Sequence, residues 1–525
     1  MKKIYYLTVV CAFLLSAMSA NNVYAQHELP SNELMYHSFR LPQSNLFNPA
    51  FFPRNNQVYV SLPRFNVSFG FPVTYNEVGL TYDAQRDKTT LDIFQLIDKM
   101  SDNNHLNFDM ELDLIGFGFR VKRAFFTFGS SIVFNANITL PKDAFDALTD
   151  NTKSLIGRDN AMILASDDFI TASGYARISL GGGYEFENIP LTVGGHINIL
   201  NGFANVNTHK TDIRLYATDE YYTALVASMD YRIQSAGIAS YKKDKFNFDG
   251  TPSNYGFTFD LGARYIYDHF IFSAALIDVG PGIHWTQNVN TYRPKSNTIT
   301  FEGVDITSLI SGGEFDSTFA QSFRDSLTNT YEMVENEGSD FWYAVPTKIK
   351  LGASYTFAND MLRAGFLFHG QWDKGILCPG NGFRIPNNRF RFNTTLSLTA
   401  NLKDWIEVMA GNSLVFDSHN TDLFNPGAGI IITPFKALQI YTMVDYLSSM
   451  YIVDCKNFNV SLGFNLLFGN SSKHKVVNDM PVVSLPEAAS VDRDAPEDQE
   501  KSVEEPAEKS VQEQMNNPSG NLFSN

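Results

Sequence analysis

The chain has 525 residues, three cysteines and a formal net charge of −16. Aromatic residues make up 14% of it and charged residues 18%, below the roughly 25% charged residues of an average soluble domain. This composition excludes a chain that is disordered throughout, because such chains lack aromatic residues, and the cysteine count excludes a disulfide scaffold. The acidic balance argues against nucleic-acid binding, which needs a basic surface.

The first 25 residues have the pattern of a secretory signal peptide. Lys2 and Lys3 precede the mostly apolar run 4–17, and Val23-Tyr24-Ala25 supplies small residues for cleavage after Ala25. The run is shorter than the about 20 apolar residues of a membrane anchor. No later run is long enough for a transmembrane helix, so the exported chain is released, held in the periplasm or inserted as a β-barrel.

Large apolar and small polar residues alternate in many long segments. In the last of them, Phe458, Val460, Leu462, Phe464, Leu466 and Phe468 share one face, and Asn459, Ser461, Gly463 and Asn465 share the other. A soluble β-sandwich also alternates in this way. Strand length, and the polar residues Asp260, Arg264 and Lys350 on the opposite face of similar segments, favour a transmembrane barrel with a wet lumen. In such a lumen, a charge at Asn465 is expected to be tolerated.

Connector lengths support the same fold class, an all-β transmembrane antiparallel β-barrel. Short and long links alternate along the chain, as they do between periplasmic turns and external loops. The predicted strands are 57–75, 105–121, 124–140, 173–187, 190–206, 255–267, 270–286, 346–357, 362–372, 390–402, 405–416, 425–434, 437–447 and 455–468. This gives about 14 strands with both termini in the periplasm, or 16 if the region 207–254 hides a hairpin.

The segments outside the barrel differ in composition. We assign residues 1–25 to the signal peptide, 26–56 to a polar N-terminal segment that is rich in Asn and Pro, and 57–469 to the barrel. Residues 470–525 are acidic, carry no apolar periodicity and are predicted to form a disordered periplasmic tail.

Asn48-Pro49-Ala50, between the signal peptide and the first strand, resembles the N-terminal motif of FadL-like outer-membrane barrels. The most similar proteins are Bacteroidetes outer-membrane barrels of a family of unknown function. Four further segments carry this resemblance by their order and spacing: 260–265, 272–285, 300–305 and 461–469. Together the matched segments extend from residue 40 to residue 469.

The resemblance implies a barrel of fourteen strands in the outer membrane of a Gram-negative cell of Bacteroidetes origin, with the N-terminal segment inside the lumen. It implies a channel for small or hydrophobic molecules, with outer-membrane lipid and a small hydrophobic ligand as partners. The alternative is a scaffold or accessory barrel that binds a periplasmic or secretion-machinery protein. The fatty-acid-binding residues of FadL-type transporters have no match here, and the resemblance names no substrate.

Within this resemblance, Asn48, Pro49 and Ala50 are the candidate hatch motif. Pro49 fixes its own φ angle and biases Asn48 toward extended geometry. Asn48 is expected to bond to polar groups of the lumen, and the small Ala50 to pack closely against the wall. The alternative is that the tripeptide is only a turn before the first strand.

No chemistry of an enzyme is evident in the sequence, which contains no phosphate loop, dinucleotide fingerprint or nucleophile elbow. The expectation is therefore no catalytic residue, no cofactor and no metal. His196 and His369 fall on the lumen face and are interpreted as solvated polar side chains rather than as metal ligands or bases. Cys378 and Cys455 both lie on the external side, as a disulfide or as two free thiols.

Overall fold

The computed structural model describes the following residues: 32–53, 56–74, 80–83, 88–91, 93–146, 157–166, 169–218, 225–238, 254–301, 333–357, 361–379, 390–403, 405–415, 422–435, 437–447 and 455–470. The predicted signal peptide lies outside these residues, and so does the predicted tail except for Asn470, which ends β23. Among the helices of the described residues, none has the length and apolar character that a membrane crossing requires.

The described residues are mostly strands. In chain order they are β1 (Asn56–Ser61), β2 (Arg64–Gly70), β3 (Leu80–Asp83), β4 (Lys88–Leu91), β5 (Asn103–Val121), β6 (Ala124–Pro141), β7 (Met162–Ala165), β8 (Ile170–Glu185), β9 (Leu191–Ala217), β10 (Leu225–Ala236), β11 (Asn254–Tyr267), β12 (Phe270–Trp285), β13 (Asn290–Pro294), β14 (Thr298–Phe301), β15 (Met333–Glu337), β16 (Phe341–Tyr343), β17 (Thr347–Phe357), β18 (Leu362–Trp372), β19 (Phe390–Lys403), β20 (Ile406–Val415), β21 (Asp422–Ile432), β22 (Leu438–Asp445) and β23 (Asn457–Asn470).

Helices are short. The α-helices are α1 (Ser44–Phe47), α2 (Ile93–Lys99) and α3 (Lys142–Asp146), and the 3₁₀ helices are Leu34–His37 and Arg158–Asn160.

The barrel is closed by pairing between its first and last strands. β23 pairs antiparallel with β22 on one side and with both β1 and β2 on the other. β1 and β2 pair with β5 as two halves of one wall strand. Pro63 separates the halves, because a proline has no N–H for the ladder. The ring is a fourteen-stranded antiparallel barrel, as the alternation and the connector lengths predicted.

The region 207–254 does contain an additional hairpin, but it does not enter the ring. β9 has 27 residues, and only its first part pairs with β11, from Leu191 to Gly202. The continuation of β9 pairs with β10, which pairs in turn with β13 and β14. These strands extend the sheet beyond the wall, so the number of wall strands remains fourteen rather than sixteen.

Connections at the two ends of the barrel differ, as expected. β5 meets β6 and β11 meets β12 through two-residue turns, in which Lys122 and Asp268 have φ values of 54° and 53°. Tight hairpins between twisted strands favour such positive φ angles. We call this end the short-turn end and the opposite one the long-loop end.

The two faces of the wall strands agree with the sequence pattern. In β23, Leu462 and Phe468 are exposed on the outside, whereas Asn459, Ser461 and Asn465 are fully buried on the inside. In β11, Phe257, Phe259 and Leu261 are exposed in the same way. An apolar outer surface of this kind is what contact with lipid requires.

Placing a charge on this outer surface should impair assembly. Leu462 lies near the middle of β23, so Leu462→Arg is expected to cost about 2–4 kcal/mol of barrel stability, as arginine does near the bilayer midplane. The matched lumen variant is Asn137→Arg, because Asn137 lies beside a cavity. Urea titration of the heat-modifiable band in lipid would measure both variants. Equal losses would contradict the assignment of the two faces.

Candidate functional site

Residues 32–53, which we call the lumenal segment, lie inside the barrel. The segment folds as the 3₁₀ helix Leu34–His37 and the helix α1, followed by a turn in which the Phe51 N–H donates to the Asn48 carbonyl oxygen at 2.9 Å. Its side chains are almost all buried, including the polar residues Asn32, Glu33 and Asn48. Buried polar groups need hydrogen-bond partners, so their contacts with the wall define how the segment is held.

Asn48 joins the lumenal segment to two wall strands. Its side-chain nitrogen donates to the carbonyl oxygens of Ala263 in β11 and Ala274 in β12, at 3.3 and 3.2 Å, and lies 3.2 Å from the Tyr36 hydroxyl. Its side-chain oxygen accepts from the Ala50 N–H at 2.9 Å. The amide therefore bonds to the backbone of the wall rather than to polar side chains of the wall.

Two wall glycines allow the tripeptide to approach this closely. A Cβ atom at Gly194 would lie 2.1 Å from the Pro49 carbonyl oxygen, and one at Gly262 would lie 2.2 Å from Asn48 Oδ1. Either distance is too short for a real contact. The absence of a side chain at these two positions therefore admits Asn48 and Pro49 to the wall.

His196 takes part in the next polar contact. Its Nε2 atom lies 2.8 Å from Asn45 Oδ1 of the lumenal segment, and its Nδ1 atom lies 3.1 Å from Asp260 Oδ2. Asn198 also donates to this carboxylate, at 3.0 Å. The interpretation of His196 as a solvated lumen residue is therefore wrong, because the lumenal segment covers it.

Glu33 is the buried carboxylate of the lumenal segment. Its Oε1 atom lies 2.6 Å from His369 Nδ1, and its Oε2 atom lies 3.7 Å from Lys350 Nζ. The side chains of all three residues are at most 1% exposed. His369 is thus also enclosed rather than solvated, and its partner is a carboxylate that lies more than 300 residues away in sequence.

Apolar contacts fill the rest of the interface. Leu34, Met35 and Leu41 pack against four wall residues, Met409, Ile431, Tyr441 and Met443. Tyr36, Phe39 and Phe51 pack against Ile271 and Leu367. A lumen that is wet throughout was therefore the wrong expectation, because this part of it is a packed core.

Asn465 shows the same effect at a single position. Its amide nitrogen donates to Gln43 Oε1 at 3.0 Å, and its carbonyl oxygen accepts from Gln43 Nε2 at 2.7 Å. Asn465 is fully buried. Contrary to the expectation from the alternation, an arginine at this position would displace the lumenal segment.

His37 makes the docking of the lumenal segment sensitive to pH. Burial, together with the positive charge of Arg363, lowers the pKa of His37 from 6.5 to about 4, and Glu33 opposes this change. Once released into water, the imidazole would regain its ordinary pKa of about 6.5. Below that pH the released segment binds a proton that the docked segment does not.

Docking should therefore weaken as the pH falls from about 6.5 to about 4, by up to about 3 kcal/mol. Amide hydrogen exchange in the lumenal segment, measured across this range, would show the loss of protection. The control is His37→Asn, which removes the imidazole and leaves the neighbouring carboxylates in place. A wild-type profile identical to that of His37→Asn would contradict the prediction.

Alternating charges line the lumen beside the segment. Arg64 is fully buried and pairs with Glu111 at 2.5 Å and with Asp113 at 2.6 Å. Arg177 lies 3.7 Å from both Glu111 and Asp278, and Asp278 lies 3.3 Å from Lys348. The ions thus neutralise one another from β2 across to β17.

A cavity of about 540 Å³ lies on the lumenal segment. The lumenal segment contributes three residues to its lining, Asn32, Leu46 and Phe47. The wall contributes mainly amide, hydroxyl and charged side chains, among them Asn107, Asn135, Asn137, Thr171, Arg177, Asn207, Asp278, Lys348 and Arg391. The lining of this cavity thus combines polar and charged side chains with apolar ones, among them Met110, Val133, Trp342 and Val345.

Of the two candidate cysteines, Cys378 lines the cavity. Cys378 and Cys455 are both buried, and no disulfide joins them, which is the second of the two alternatives. Burial raises the pKa of the Cys378 thiol to about 11. Within the described ranges, no group of three or more His, Cys, Asp or Glu side chains is placed to hold a metal ion.

Comparison with known proteins gives a family and a set of similar folds. The model of a family of unknown function (DUF5723) matches residues 49–445. No curated protein matches the chain.

Many solved structures resemble the barrel, including the following three. They are a TodX deltaS2S3 mutant, described as a monoaromatic hydrocarbon channel (TM-score 0.41, 10% identity, 85% of this chain and 97% of that chain); the P. putida toluene transporter TodX (0.39, 9%, 81% and 94%); and a Pseudomonas aeruginosa FadL homologue (0.39, 12%, 82% and 95%). What these names say about ligands applies to those proteins.

Proposed function

Because the chain belongs to this family of unknown function, whose description names no substrate, we propose a function from the lumen itself: a transport channel for small polar molecules, gated by the lumenal segment. The observation that carries the proposal is the cavity that rests on this segment and presents many amide, hydroxyl and charged side chains. The cavity favours polar over hydrophobic molecules, because an apolar solute there would strip water from amides and ions without replacing its hydrogen bonds.

The contacts of the lumenal segment support a gate. The segment precedes β1 in the chain, and its described contacts with the wall are all non-covalent. Several of these contacts are single side-chain bonds, such as Ser38 Oγ to Glu407 at 2.8 Å and Arg363 to the His37 carbonyl at 2.9 Å. Releasing them would open the lumen without breaking any hydrogen bond of the barrel ladder.

We also propose that the barrel lies in the outer membrane with its termini in the periplasm. The exposed aromatic residues near the short-turn end support this placement, since barrels carry aromatic girdles where lipid meets water. They include Tyr184, Phe186, Tyr267, Phe270, Trp405 and Phe435. The hatch role of Asn48, Pro49 and Ala50, the Bacteroidetes origin and a periplasmic or secretion-machinery partner stay predictions.

Proteoliposome swelling tests transport. The full chain, and a variant whose residues 32–53 are replaced by a Gly/Ser linker of equal length, would be compared with glycine, arabinose and sucrose as solutes. We expect slow swelling with the full chain and faster swelling with the variant, most of all for the smaller solutes. Heat modifiability verifies that both barrels are folded. If the folded variant admits none of these solutes, the channel is ruled out and the scaffold hypothesis is favoured.

A further inference from the structure

Three hydrogen-bonded side-chain pairs form a continuous polar stripe along the cavity. They join β5 to β6 at directly opposed positions: His105 with Thr139, Asn107 with Asn137, and Asp109 with Asn135. All six residues line the cavity. We call these six residues the polar track.

The amides of the polar track retain hydrogen-bonding capacity toward the cavity. A primary amide offers two N–H donors and an oxygen with two lone pairs. Asn137 donates to the Asn107 oxygen and accepts from the Thr139 hydroxyl, and Asn135 donates to Asp109, so each bond occupies one donor and one acceptor site. Asn107, Asn135 and Asn137 are only half-buried, which leaves donors and acceptors side by side in reach of a solute.

The charges of the cavity disfavour an ionic ligand. Asp278 is paired with Arg177 and Lys348, and Arg391 donates to Asp373 at 2.6 and 2.9 Å. A charged solute that contacts Asp278 or Arg391 would have to separate such a pair, and breaking a pair in a partly enclosed site leaves an uncompensated charge. A neutral solute can bond to the track without disturbing these ions.

Aromatic side chains add flat apolar surface to the same cavity. Phe47, Tyr175, Trp342 and Tyr343 line it, and the ring of Trp342 stacks on His284 with centroids 4.6 Å apart. A ligand with hydroxyl groups around its edge and C–H groups on its faces can bond to the amides and pack on the rings at the same time. The volume of about 540 Å³ is within the usual range of roughly 300–1,000 Å³ for small-molecule sites.

We propose that this cavity binds a neutral, hydroxyl-rich solute of the carbohydrate class, with hydroxyl groups on the polar track and C–H faces on the aromatic residues. The inference rests on the proposed function, whose substrate class it specifies. Because Asn32, Leu46 and Phe47 of the lumenal segment line the same cavity, the solute would rest on the gate before passage.

Saturation-transfer NMR on the full chain, in a detergent without a sugar headgroup, tests binding separately from transport. The probes are maltose, the zwitterion glycylglycine and the apolar toluene. Maltose is expected to bind saturably and more tightly than the other two. Asn107→Ala with Asn137→Ala should weaken maltose binding about ten-fold or more. These two amides bond to each other. Removing both at once therefore avoids leaving one amide that has lost the other.

The control is Thr395→Ala with Ser413→Ala. These residues form an opposed, hydrogen-bonded pair at 2.7 Å on the inner face of β19 and β20, away from the cavity lining, and maltose binding should be unchanged. Equal or tighter binding of glycylglycine or toluene, no binding of maltose, or unchanged binding in the Asn107 and Asn137 variant would each overturn the inference. Swelling with glycine but no maltose binding would refute only the substrate class. Maltose binding without swelling would refute only transport.

Discussion

Replacing Asn48→Ala, Pro49→Gly and Ala50→Gly together is expected to raise the open current through the barrel while the barrel stays folded. Asn48 takes part in four hydrogen bonds within the lumenal segment and to the wall, and each is worth about 1 kcal/mol. Allowing for partial replacement by water, we expect docking to lose about 3 kcal/mol, or on the order of 100-fold in the open population. Planar-bilayer conductance measures the current.

The same contact can be disturbed from the wall. Gly262→Ala would place a Cβ atom 2.2 Å from Asn48 Oδ1 and 2.8 Å from Pro49 Cδ, whereas Gly129→Ala meets its nearest atom at 4.0 Å. Gly262→Ala should therefore raise the current, and Gly129→Ala should not. If the triple variant and Gly262→Ala both conduct like the wild type with their barrels intact, the tripeptide is only a turn before β1.

The wall could be predicted from the sequence because each strand carries its own signal. The alternation of side chains in β23, with Leu462 outward and Ser461 inward, depends only on strand periodicity and on lipid outside the ring. The observed strands β18 and β6 begin and end within a residue of their predicted limits. The sequence also indicated a possible hairpin in the region of β9 and β10. That this hairpin lies outside the ring follows only from the pairing of β10 with β13 and β14.

The contacts of the lumenal segment could not be predicted in the same way. Glu33 lies in a polar segment without periodicity, and its partner His369 is 336 residues away. His196 and His369 were correctly placed on the lumen face, but periodicity does not reveal what covers that face. The close approach at Gly194 and Gly262 was equally hidden, since a glycine in a strand has several possible causes.

Glu33→Gln should release the lumenal segment by a different route. The substitution keeps the shape of the side chain and removes the charge that faces Lys350, which is itself buried. Breaking a buried pair by neutralising one partner costs about 3–5 kcal/mol. Asp445 also lies close enough to repel Glu33, and relief of this repulsion places the expected loss near the lower limit, about 3 kcal/mol. Amide hydrogen exchange of residues 32–53 should rise on the order of 100-fold.

A second substitution separates the ion pair from a general loss of packing. Lys350→Met alone leaves Glu33 without its cation and should also release the segment. Combined with Glu33→Gln, it removes both charges, and a neutral pair in a packed site costs little. The double variant should therefore recover most of the protection that either single variant loses. Additive losses in the double variant would show that Glu33 and Lys350 act independently, and that the segment is held by its apolar contacts instead.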